Sequence, residues 1–298
     1  MDLQTYLQDK RGLVERAMAD LIPGNGNLPA ELDRHIEAMR YSLFAGGKRV
    51  RPILCLAACE AVGGAVSHAL PAAVALECIH TYSLIHDDLP AMDDDELRRG
   101  KPTSHMLYGE AGAILAGDGL LTLAFELLSS KLPADIEPAD QLGIINIIAR
   151  AAGSLGMVGG QAMDIVSEGK EIEVETLREI HSRKTGALIS AAVQSGAVIG
   201  GATPEQFSSL TTYGEKIGLA FQIVDDLLNV EGTAEQLGKA AGSDADRNKA
   251  TYPALYGLER TRQLAEESVA EALDALAHFD EYSDPLRQLA SYIISRNK

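Results

Sequence analysis

The chain has 298 residues, 46% of them hydrophobic but only 5% aromatic, no tryptophan, and a formal net charge of −17. That acidic balance excludes nucleic acid as a partner, because a phosphate backbone must be met by a basic face. A core built on Leu, Ile, Val and Ala rather than on aromatic rings suits a helix bundle better than a sheet sandwich.

Apolar residues recur at helical spacing over about 3–21, 30–44, 51–62, 70–89, 105–129, 138–158, 173–199, 204–229, 252–276 and 283–295, and alternating strand patterns are nearly missing. Pro52, Pro138 and Pro204 fall near proposed helix starts, where a missing amide is tolerated. The breaks richest in Pro, Gly and Asn, at 23–29, 132–140 and 231–248, separate stretches of similar character, so one all-α domain over 1–298 is expected. Residues 1–22 are charged throughout and give no secretory signal, and Asp118 and Gln194 interrupt the most apolar stretches, so no membrane span is expected. Cys55, Cys59 and Cys78 are an odd number in apolar segments with no zinc-like spacing. They read as reduced thiols of a soluble cytoplasmic protein.

Two acidic clusters stand out at the ends of apolar runs: Asp87, Asp88 and Asp93 in LIHDDLPAMDDDELRRG, and Asp225 and Asp226 in FQIVDDLLN. Carboxylates at a helix C-terminus oppose the macrodipole and call for a cation. Hard divalent ions such as Mg²⁺ take oxygen ligands and keep positions open for substrate phosphates, so two facing clusters could hold a diphosphate through several metals. Asp225 and Asn229 are i, i+4 neighbours on one helix face. Asp87 and Asp93 are six apart, and only a bulge at the LeuProAlaMet segment, where Pro90 disturbs the helix, returns Asp93 to the side of Asp87. Lys48 and Arg51, three residues apart at a helix N-terminus, suit an anion; Ser42 and Arg49 stand where a P-loop needs Gly and Ser or Thr. His80 lies two turns before Asp87 on the same face.

The first cluster resembles the first aspartate-rich motif of the trans-polyprenyl diphosphate synthases, and the second resembles their DDxxD motif. GGKRVRP, ECIHTYSLIHDD, HSRKTGALI, GKAAGSDADRNKATYPAL and the terminal YIISRNK resemble, in the same order, blocks of the bacterial farnesyl diphosphate synthases. The resemblance implies an isoprenoid synthase fold, a single-domain bundle of about ten or more helices around a deep central cavity. It implies Asp87, Asp93 and Asp225 as ligands of three Mg²⁺ ions, with Asp88 and Asp226 as bridging or supporting acids. Lys48, Arg51, His80 and Arg99 would take the diphosphate of isopentenyl diphosphate; Arg98, Lys184, Lys239 and Lys249 would take that of the allylic substrate. Thr185 and Gln222 would turn oxygens to the reacting carbons, and Gln161 and Asp164 would lie near the metals. Asn229 departs from the family, which usually has Asp there; it keeps an oxygen ligand and loses a charge. Tyr82 and Ser83 before the first motif resemble the farnesyl (C15) class, with a geranylgeranyl (C20) synthase or a non-catalytic partner subunit as alternatives. A homodimer is also implied.

Overall fold

The computed structural model describes residues 2–24, 28–231 and 251–295. Helices account for nearly all of it. In chain order they are α1 (Leu3–Leu21), α2 (Ala30–Leu43), α3 (Val50–Ala61), α4 (Val66–Asp87), α5 (Ser104–Ser130), α6 (Pro138–Ala152), α7 (Met157–Ser167), α8 (Val174–His181), α9 (Ala187–Ile199), α10 (Pro204–Glu231), α11 (Tyr252–Ala275) and α12 (Asp284–Ser295). A two-residue hairpin, β1 (Leu97–Arg98) against β2 (Lys101–Pro102), lies between α4 and α5.

Local chemistry sets several ends. Asp2 caps α1 by accepting from the Thr5 amide at 2.9 Å, Thr251 caps α11, and Pro138 opens α6 where its missing amide costs nothing. The centre is α4, where Ala72, Ala73, Val74, Ala75 and Leu76 are fully buried, as expected of a helix apolar on all sides. It is enclosed by α3, α5 and α9, and one contiguous core runs from Tyr6 to Ile293. The three cysteines are buried free thiols.

Two expected helices are divided. The run from 138 breaks at Gly153–Gly156, where Gly156 leaves helical angles (φ −122°, ψ −127°), and resumes as α7, which extends to Ser167. The run from 173 contains a π-helical turn, Ser182–Gly186, between α8 and α9. By length and composition alone, α5 and the 138–167 stretch could cross a membrane, with 44% and 33% of their most apolar windows buried inside the fold.

Candidate active site

The C-terminus of α4, the loop after it, α7 and the π turn enclose a cavity of about 400 Å³ lined by Arg51, His80, Tyr82, Asp87, Lys184 and Thr185 among others. Asp87 is the last residue of α4. The chain then folds back: the Asp93 amide donates to the Asp87 carbonyl at 2.8 Å and the Asp94 amide to the Leu89 carbonyl at 3.1 Å, with Asp94 left-handed at φ 53°. The six-residue step between Asp87 and Asp93 is thereby closed, as the bulge at Pro90 required. Burial pushes the Asp87 carboxyl up to about 6; the Lys184 ammonium opposes the rise and the Asp93 charge adds to it. Asp88 faces the other way, buried against Arg98, whose Nε lies 2.8 and 2.9 Å from the two carboxylate oxygens and whose Nη2 lies 2.5 Å from Oδ1. That fork fixes both the loop and Arg98.

The π turn supplies the opposite wall. One extra residue in the turn re-aims Lys184 and Thr185 at the cavity, a use often made of such bulges. Glycine is needed on both neighbours. A Cβ at Gly160 of α7 would sit 2.2 Å from the Lys184 amide nitrogen, and one at Gly218 of α10 would sit 3.0 Å from Gly186 Cα. Lys184 Nζ donates to Asp164 Oδ2 at 2.6 Å, which places Asp164 beside the site. Gln161 also lines the cavity, and its Oε1 is buried without a hydrogen-bond partner among the described residues.

On α10, Asp225 is exposed and Asp226 buried, as a 100° step demands. The Asp225 charge reaches Arg51, although Asp225 is not among the residues that line the cavity. Asp226 turns outward from it: Oδ2 accepts from the Tyr252 amide at 2.8 Å and Oδ1 lies 3.8 Å from His181 Nε2. It ties α10 to the start of α11. Gln222 and Asn229 lie half-buried one turn on either side of these acids.

Arg99 sits left-handed (φ 54°) in the hairpin turn and donates to the Gly46 carbonyl; a Cβ at Gly47 would meet its Nη1 at 2.8 Å. His80 is held well below the usual imidazole range by burial and by the nearby Arg51, Arg99, Arg98 and Arg49, so it is neutral. Lys48 does not line the same cavity as Arg51 and His80; it borders a neighbouring groove of about 300 Å³ with Arg11 and Phe221. Tyr82 is 7% exposed on the cavity wall, its ring edge-on to His86 at 5.4 Å, and Ser83 Oγ donates to the His80 carbonyl at 2.8 Å. Lys239 and Lys249 lie outside the described residues. Two features near the site were given no role by the sequence reading although their residues lie inside the quoted blocks: His181, half-buried and neutral with its pKa lowered to about 4 by burial, and the Arg49–Glu77 pair.

Every candidate donor for a metal here is oxygen, which suits Mg²⁺. Among the described residues no three of His, Cys, Asp and Glu converge on one point.

An all-helical bundle in which Asp87 at a helix end shares one cavity with Arg51, His80 and Lys184 suits a ligand that carries negative charge. The family model described as polyprenyl synthetase matches residues 33–284. The chain is 49% identical to a geranylgeranyl diphosphate synthase of Cyanophora paradoxa, over 99% of this chain and 97% of that protein. A solved FPP/GFPP synthase of Zymomonas mobilis superposes with a TM-score of 0.86 at 39% identity, covering 98% of each chain. A geranylgeranyl pyrophosphate synthetase of Pyrococcus horikoshii does so at 0.87 and 33%, covering 99% of this chain and 98% of that one. The chain therefore belongs to the polyprenyl synthetase family, has its isoprenoid synthase fold, and is a trans-prenyltransferase.

Proposed function

We propose that the protein condenses isopentenyl diphosphate with dimethylallyl and then geranyl diphosphate, releasing pyrophosphate at each step and ending at farnesyl diphosphate. The observation that carries this reading is the shared cavity that joins Asp87 and Lys184 to Arg51 and His80 above Tyr82. Asp87, Asp93 and Asp225 would hold Mg²⁺, which, when bound, draws charge from the allylic diphosphate and favours its departure. Lys184 adds positive charge on the same side, and Arg98, fixed by Asp88, meets the leaving group from the hairpin. Thr185 and Gln222 offer oxygen dipoles to the allylic cation left by C–O cleavage. The isopentenyl double bond attacks that cation and forms the new C–C bond, and a proton then passes to the departed diphosphate, so no separate side-chain base is required. Arg51, neutral His80 and Arg99 orient the isopentenyl diphosphate by charge and hydrogen bonds without metal.

A second reading, a geranylgeranyl (C20) product, is favoured by relatives such as the Cyanophora geranylgeranyl diphosphate synthase, whereas buried Tyr82 on the wall favours C15. Incubation with labelled isopentenyl diphosphate and each allylic diphosphate, followed by chromatography of the dephosphorylated alcohols, decides between them. Absence of any chain elongation overturns the proposal as a whole. Because Asn229 lacks a charge that Asp would supply, Asn229→Asp should lower the Mg²⁺ concentration for half-maximal rate by about threefold or more; a metal titration of the rate checks it.

We also propose a cytoplasmic homodimer. Ile114 and Leu115 on α5 are 42% and 57% exposed, and Leu142 on α6 is 67% exposed, an apolar face that a second copy would cover. Free cysteines support a reducing compartment. Leu115→Asp should convert the dimer to monomer in sedimentation velocity; a wild-type monomer, or a variant that stays dimeric, speaks against this face.

A further inference from the structure

Arg49 lies between Lys48 and Arg51, yet it does not share their environment. It is 3% exposed, left-handed (φ 54°, ψ 36°) at the start of α3, and aimed into the core. Its Nη1 lies 2.5 Å from Glu77 Oε1 and its Nη2 donates to the Leu43 carbonyl at 2.9 Å. One guanidinium thus joins the end of α2, the start of α3 and the middle of α4. Glu77 is itself 2% exposed and sits three residues before His80, on the same side of α4.

The surroundings are strongly cationic. Burial lowers the pKa of Arg51 and of Arg99, and in both cases the charge of Glu77 is the chief opposing influence. Arg51 Nε is buried with no hydrogen-bond partner among the described residues. Arg49 touches the Glu77 carboxylate and the same charge reaches Arg51 and Arg99, next to an imidazole kept neutral by burial first and by these cations second. The shortfall in negative charge is what an incoming diphosphate would supply.

We propose that Glu77 is a positioning residue for the isopentenyl diphosphate site: through Arg49 it fixes the backbone that presents Arg51, and it holds the three guanidinium groups together before substrate arrives. This rests on the reading of Arg51, His80 and Arg99 as that site. Removing the carboxylate would leave Arg49 buried without its partner and let the like charges spread apart. Arg51 would then be lost from its place although it is chemically intact.

The test uses the full-length enzyme, with Glu77→Gln and Glu77→Asp. Glu77→Gln should raise KM for isopentenyl diphosphate by about tenfold or more, leave KM for the allylic substrate within about twofold of wild type, and weaken metal-free binding of inorganic pyrophosphate measured by calorimetry. Glu77→Asp should recover part of each loss. Equal changes in both KM values, or no change, overturn the proposal, because a purely structural role would not select one substrate. If Glu77→Gln is insoluble, Arg49→Lys, which keeps the charge and loses the fork, carries the same comparison: a selective rise in KM supports the proposal and its absence overturns it. Should Arg51→Gln leave KM for isopentenyl diphosphate unchanged, the underlying site assignment falls and the proposal with it.

Discussion

Replacing Asp87 with asparagine should abolish prenyl transfer while making the metal-free protein more stable. The carboxyl is half-buried at the end of α4, and Asp93 is folded back toward it by the hydrogen bond that its backbone N–H donates to the Asp87 carbonyl. Burial raises its pKa from 3.8 to about 6, a rise the Lys184 ammonium only partly opposes. The sign follows from proton uptake. Between pH 4 and 6 the folded chain binds the proton more tightly than the unfolded chain, so the stability that Asp87 contributes is greatest at the acid end and falls as pH rises through that window. Above it, the ionised group costs on the order of 3 kcal/mol. Asparagine keeps the shape without the charge. Thermal melts in chelator should show Asp87→Asn and wild type alike near pH 4, with the variant gaining roughly 4 °C by pH 7. Adding Mg²⁺ with pyrophosphate should reverse that order, since only wild type gains a ligand. The rate should drop by about a thousandfold or more. A variant with substantial turnover, or one that melts lower than wild type in chelator at every pH, would remove Asp87 from the role given to it.

Much of this arrangement is legible in the residues, for reasons that also mark the limits. Helical periodicity is strong enough to place α1, α2, α5 and α10 within a residue or two, because each buries one face against a neighbour. It failed at Gly153–Gly156, where the apolar pattern continues across a break in the backbone, and at Ser182–Gly186, where a π turn costs the pattern only one residue. The second lapse matters more, because that residue decides where Lys184 and Thr185 point. The return of Asp93 to Asp87 could be argued from Pro90 and a spacing of six. The orientation of Asp226 toward Tyr252 could not, since the partner lies 26 residues away. The i, i+3 spacing paired Lys48 with Arg51 on one helix face, but the helix begins only at Val50, so that spacing does not hold Lys48 to the face of Arg51. The Arg49–Glu77 contact spans 28 residues and has no local signature at all.

Tyr82→Ala should lengthen the product by at least one isoprene unit. The ring stands on the cavity wall five residues before Asp87, which on a helix is about 7.5 Å below the reacting end. It is 7% exposed and braced edge-on by His86, whose own ring rests against α5 with Nε2 3.1 Å from the Ile114 carbonyl. A growing chain that descends from Asp87 meets this braced ring before it meets the next turn at Cys78. The brace gives the substitution its meaning: the ring cannot swing aside without displacing His86. A Cβ at Gly117, 2.3 Å from His86 Nε2, shows how little room α5 leaves. The stability cost should be modest, about 2 kcal/mol, because the lost ring borders space that already exists rather than leaving a sealed void. Product analysis after exhaustive incubation reads the result directly. Wild-type C15 output that becomes C20 or longer in Tyr82→Ala puts the floor at this ring. Wild-type C20 output that the substitution leaves unchanged moves the floor deeper, toward Cys78, and makes Tyr82 an ordinary core residue that happens to border the cavity.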